Sequence, residues 1–209
     1  MSYIFLRGEI DGWGTMDNRD EHKRIIEGVL EKFNSEMKKI LIAPFRFEDG
    51  TIEGSLEQGR DIYEMLIVFE FKIRPLKALW GVGVCGERVS AIAEIVAKER
   101  ASEMLSDVVA GIHKSKRAKP EIMIKSDYND FDSVINTLIC LASDIKNRWT
   151  KRQNEIVITY FKNGENQNKA AEKVGISQSS IQRSLTSSKY YLFKDAAEGI
   201  RKSLEYIMD

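Results

Sequence analysis

Asn166-Gln167-Asn168-Lys169-Ala170-Ala171-Glu172-Lys173-Val174-Gly175-Ile176-Ser177-Gln178-Ser179-Ser180-Ile181-Gln182-Arg183 holds two short helical patterns on either side of a Gly-Ile-Ser break. Ala171, Gly175 and Ile181 fall at i, i+4 and i+10. Two helices joined by a tight turn need a small residue where they approach. The turn itself needs a residue tolerant of positive φ, the property of glycine. A branched apolar residue must then lock the second helix onto the first. The three residues stand in that order, with Ile176 filling the turn and Ser177 a suitable N-cap for the second helix. Upstream, Thr150 opens a helix whose apolar face is Ile156, Val157, Tyr160 and Phe161, closed by Asn163-Gly164. The pattern predicts a helix-turn-helix.

The second helix of the pair is polar on its outward positions and has no acidic residue to repel phosphate. The N-terminal part of such a helix enters the major groove of double-stranded DNA. Arg183 has the geometry for a bidentate pair with guanine, and Gln178 for adenine. Ser179, Ser180 and Gln182 are further candidates for base or phosphate contacts, while Lys169 and Lys189 suit phosphates. Residues 165–184 resemble the helix-turn-helix of sigma-factor region 4 and related regulators. Readers of this kind bind paired half-sites as two-fold dimers, so a homodimer is expected.

Charge distribution agrees. The chain is neutral overall, with 32 basic and 32 acidic residues. Residues 146–209 carry 12 basic and 7 acidic side chains, leaving 20 basic and 25 acidic in residues 1–145. A basic module on an acidic body is the expected partition. The opening residues lack the basic segment and cleavage site of a signal peptide, and no apolar run is long enough to cross a bilayer, so a cytoplasmic protein without membrane contact is expected. Cys85 and Cys140 stand apart, fit a reducing compartment, and have no zinc spacing with His22 or His113.

Residues 1–127 alternate strand and helix patterns. Tyr3-Ile4-Phe5-Leu6 reads as a buried strand. Ile25, Ile26, Val29, Leu30, Phe33 and Met37 recur at helical spacing. A hairpin turns at Glu48-Asp49-Gly50 between strands at 40–47 and 51–56. Ile62, Met65, Leu66 and Phe69 mark a helix, and residues 76–84 a strand. Val89, Ile92, Ile95, Val96, Met104 and Leu105 mark a long helix, and Ile122-Met123-Ile124 a last strand. Lys114-Ser115-Lys116-Arg117-Ala118-Lys119-Pro120 reads as a solvated basic loop. The expectation is an α+β class: a mixed-sheet domain at 1–127 with split βαβ character, a connector helix at 128–148, and an all-α helix-turn-helix domain at 149–209. Trp80 is expected in the core and Trp149 at the domain junction.

The chain also resembles the SatD family in several short segments. Tyr3-Ile4-Phe5-Leu6-Arg7-Gly8-Glu9-Ile10 resembles its opening strand, an apolar run followed by Gly-Asp-Ile. Trp80-Gly81-Val82-Gly83-Val84 with Gly86-Glu87 resembles its Gly-Ile-Gly-Ile-Gly-Glu strand, and Lys98-Glu99-Arg100-Ala101 the helix after it. The resemblance implies a nucleotidyl-cyclase or GGDEF-like, ferredoxin-like fold for residues 1–127, with a helix-turn-helix tail. In catalytic cyclases two carboxylates hold divalent metals that bind a triphosphate. Here the first position is Glu9, where the family has aspartate. The family's Gly-Asp-Glu-Phe hairpin is replaced by Glu48-Asp49-Gly50-Thr51-Ile52-Glu53, so its aspartate position falls on Gly50 or Thr51 and Asp49 is only a neighbour. The expectation is therefore a DNA-binding transcriptional regulator rather than an enzyme, without a required cofactor. Its N-terminal domain would sense a small-molecule or nucleotide effector or dimerise. The alternative is a nucleotide- or Mg2+-binding protein using Glu9 and Asp49.

Overall fold

The computed structural model describes residues 2–86, 89–114 and 120–208. Strand β1, Tyr3–Ile10, is followed by a 3-10 turn at Trp13–Thr15 and helix α1, Arg19–Glu36. Strands β2, Leu41–Glu48, and β3, Thr51–Leu56, form the expected hairpin, with Asp49 and Gly50 both at positive φ. Helix α2, Ile62–Ile73, leads to β4, Ala78–Cys85; α3, Ala91–Lys114, leads to β5, Ile122–Lys125. The five strands lie in the order β2-β3-β1-β4-β5. Neighbours are antiparallel except β4 and β5, which the α3 crossover makes parallel. The class is thus mixed α+β, as expected.

Alternation along β1 decides what covers the sheet. Ile4, Leu6 and Ile10 are buried in the core that holds α1 and α2, through Ile26, Leu30, Phe33, Leu66 and Phe69. Tyr3 and Phe5 point to the other face and pack with Cys85 and the alanines of α3. Trp80 is buried as expected and meets Phe69 edge to face at 5.6 Å.

Helix α3 forms where its apolar residues mark it, but not all of them face the core. Its buried side is Ala93, Ala97, Ala101, Met104, Leu105 and Val108, whereas Ile92 and Ile95 are exposed. Val89 is exposed too and precedes the helix. The reason lies in β4. A Cβ added at Gly81 would overlap the carbonyl oxygen of Ala101, and one at Gly83 that of Ala97. Two glycines facing Ala97 and Ala101 bring helix and strand backbones into contact, so the smallest residues carry the buried face.

Beyond the sheet, α4, Asn129–Asn147, packs on β5 and buries Ile135, Ile139 and Ala142 in the same core as the strands. Helices α5, Lys151–Lys162, α6, Gln167–Val174, and α7, Gln178–Ser187, follow as read from the sequence. Helix α8, Tyr190–Met208, lies in the region expected to be all-α but has no counterpart among the helices marked there from the sequence. It packs along α4 and against α2 as well as α7. One apolar cluster therefore runs without interruption from Ile4 through the sheet helices to Ile207. Residues 115–119 of the basic loop, and Glu87 of the β4 motif, lie outside the described residues.

Candidate nucleic-acid interface

The starts of α5, α6 and α7 are each capped by their own sequence. Thr150 and Gln153 form a reciprocal capping box on α5; Asn166 accepts from the Lys169 amide on α6; Ser177 accepts from the Ser180 amide on α7. Gly175 ends α6 at φ 72°, ψ 37°, its amide donating to the Ala171 carbonyl at 2.9 Å. Ala170, Ala171, Ile181 and Leu185 are buried. The small residue, the left-handed turn and the branched lock all take the positions their spacing implied.

That packing fixes which side of α7 faces outward. Gln178, Ser179, Gln182 and Arg183 are exposed, as are Lys169 on α6 and Lys189 at positive φ between α7 and α8. Neither α6 nor α7 has an acidic residue in its first turn. The Arg183 Nε donates to the Ser179 carbonyl of its own helix at 3.4 Å, and no carboxylate pairs with it among the described residues. Ser180 is the one candidate turned away from this surface. It is half-buried, and its hydroxyl lies 2.8 Å from the Ser177 Oγ, so it belongs to the N-cap.

Two residues that motif spacing did not single out organise the same surface. The Gln167 amide, at the start of α6, is hydrogen-bonded to the side chains of both Gln178 and Gln182. The Tyr191 hydroxyl donates to Gln182 Oε1 at 3.2 Å. Tyr191 belongs to α8, the helix the sequence reading did not contain. The cluster is legible only once α6, α7 and α8 are placed together.

The carboxylates suggested by resemblance sit elsewhere. Glu9 and Asp49 open onto one cleft of about 420 Å³ at the end of β1 and the β2–β3 turn, with Trp13 and Arg19. The Trp13 indole N–H donates to Asp49 Oδ1 at 3.4 Å, and Trp13 lies so close over Gly50 that a Cβ there would overlap its ring. Hard divalent cations need several oxygen ligands. Among the described residues no group of three or more His, Cys, Asp and Glu is placed to hold a metal ion. Thr51 stands across from Glu9 in the β1–β3 register, and Asp49 already accepts from an indole. These residues do not fit a two-metal centre.

Among the described residues no helix is long and apolar enough to cross a membrane. No curated protein is significantly similar to the chain. Among solved structures, a regulator of polyketide synthase expression from Bifidobacterium adolescentis aligns over 99% of this chain and 84% of that one, with 8% identity and a TM-score of 0.28. At that similarity nothing is carried over. A model of the SatD family matches residues 3–199, from β1 into α8, and the chain belongs to that family.

Proposed function

We propose that the protein is a DNA-binding transcriptional regulator in which α6 and α7 form a helix-turn-helix and α7 enters the major groove. The observation that carries this reading is the outward face of α7. It presents Gln178, Ser179, Gln182 and Arg183, all exposed and none acidic, above a buried Ala171–Ile181 lock and a left-handed Gly175. Residues of those types read base edges and phosphates. Lys169 and Lys189 flank the helix as phosphate ligands.

In this reading residues 1–127 are the sensing or dimerising part. The order β2-β3-β1-β4, antiparallel throughout, supports a ferredoxin-like, cyclase-like description of the sheet, with β5 added at its edge. The chain acts as a cytoplasmic homodimer on paired half-sites and as a binder rather than an enzyme.

The test is binding of labelled genomic fragments from around the protein's own gene, at two salt concentrations, by wild type and Arg183→Ala. Selective binding that weakens steeply with salt, and loses selectivity in the variant, is the expected result. A folded wild type that binds no fragment at low salt would overturn the reading.

A further inference from the structure

A second cleft lies between α2 on one side and α5 and α8 on the other. Its volume is about 230 Å³. Clefts for drug-sized ligands run from about 300 to 1,000 Å³, so this one admits a smaller guest and is too tight for a nucleotide. Phe71 from α2, Phe161 from α5, and Tyr190 and Phe193 from α8 line it. Phe161 is partly exposed and leaves the cleft open to solvent.

Three charged side chains also line it: Glu64, Glu165 and Lys194. Two of them satisfy each other. Lys194 is ion-paired with Glu165, which also accepts from the Tyr190 hydroxyl at 3.2 Å. Glu64 has no hydrogen bond or ion pair among the described residues. Burial pushes its carboxyl above the usual range, Asp61 and Glu198 push it further, and the charges of Arg201 and Lys194 offset this only in part. Tyr63 also lines the cleft and is almost wholly buried, with Glu121 and Glu70, which lie outside the cleft, as the charges that act on its hydroxyl.

An unpaired carboxylate beside aromatic faces is an attractive surface for a cation that also has an apolar body. The carboxylate supplies charge, and the ring quadrupoles attract a cation whose hydration is weak. A carboxylate or phosphate ligand would meet the opposite field, because the one ammonium present is already neutralised. We infer that the cleft between α2, α5 and α8 binds a small organic cation, an amine or quaternary ammonium, against Glu64 and the aromatic walls. Its position gives the guest a route to α7. Tyr190 and Phe193 stand at the start of α8, which begins three residues after α7 ends, while Phe71 belongs to a helix of the sheet.

Calling the guest an effector rests on the DNA-binding reading; occupancy of the cleft does not, and is measured without DNA. The probe is choline, with 3,3-dimethyl-1-butanol as its uncharged isostere, titrated calorimetrically into the full chain. Choline is expected to saturate one site with Kd on the order of 1 mM or below. The isostere, Glu64→Gln and the solvent-side variant Phe161→Leu should each weaken binding by about tenfold or more. No saturable choline binding, equal binding of the isostere, or unchanged affinity in both variants overturns the site. Choline binding with unchanged DNA affinity overturns the effector role alone. A wild type that binds choline and no DNA overturns the DNA reading and leaves the site standing.

Discussion

The ammonium of Lys146, in the last turn of α4, lies 2.7 Å from a carboxylate oxygen of Glu121, the residue that precedes β5. The same ammonium is paired with Glu70 of α2, and Lys77 reaches Glu121 at 3.0 Å. Lys146 is 1% exposed. Four separate segments therefore meet in one charge cluster around the buried Lys146. Removing one partner of a buried pair costs far more than the pair contributes, because it strands the other charges. Lys146→Met is expected to destabilise the fold by about 3–5 kcal/mol, read as a lower urea midpoint at unchanged slope.

Acid should loosen the same junction. Burial alone raises the Glu121 carboxyl, but Lys146 and Lys77 outweigh it and hold the group below the usual carboxylate range. Asp127 has the same sign: burial raises it, while Arg100 and the Gly86 amide pull it lower. The unfolded chain then takes up protons first as pH falls. Stability from these groups is complete above the ordinary carboxylate values of about 4 and is lost as pH drops through the lower folded values. The urea midpoint should fall on the acid side of about pH 4, with a shallower acid limb in Glu121→Gln.

Two glycines in different surroundings are expected to respond in opposite ways to an added methyl group. Gly83→Ala forces a Cβ onto the Ala97 carbonyl oxygen and should cost about 3 kcal/mol by overpacking. Gly28→Ala lies on the exposed side of α1 with nothing within 4 Å and should stabilise the protein by about 1 kcal/mol. Thermal unfolding of the two variants checks both signs.

Within the α6–α7 pair, stability and DNA contact should separate. Ile181→Ala empties a fully buried position and should cost about 2–5 kcal/mol. Gly175→Ala keeps a left-handed φ of 72° and should cost about 1–2 kcal/mol. Exposed Gln182→Ala and Arg183→Ala should stay within about 0.5 kcal/mol of wild type in stability. In those two variants affinity for the preferred DNA should fall by about 10- to 100-fold. Comparable loss of stability in Arg183→Ala would mean that the arginine holds the fold instead.

One indole ties the start of α5 to the start of α8. Trp149 donates from Nε1 to the Ser188 carbonyl at 2.7 Å and meets Phe193 at 5.2 Å. Trp149→Phe keeps an aromatic ring and leaves that carbonyl without its donor, a loss expected to be about 1–3 kcal/mol in chemical denaturation.

Much of this molecule follows from short-range chemistry that any reader of the chain can see. The β2–β3 hairpin follows from Asp49-Gly50, because that dipeptide accepts positive φ. The α6–α7 turn follows from Gly175 for the same reason, and the helix starts follow from Thr150, Asn166 and Ser177, whose side chains satisfy free amides. These determinants act within a few residues, so local sequence suffices. What the tertiary structure decided acts between distant segments. Ile92 and Ile95 stay outside because Gly81 and Gly83 let the α3 backbone itself reach the sheet, an approach invisible in the periodicity of α3 alone. Ser180 turns to its cap while Gln167 and Tyr191 join the α7 surface, since three helices must be assembled before their side chains meet. Helix α8 crosses back to α2 and α4, forming the aromatic cleft and the Trp149–Phe193 contact. That route is fixed by burial of its apolar face, which has no partner until the rest of the chain has folded.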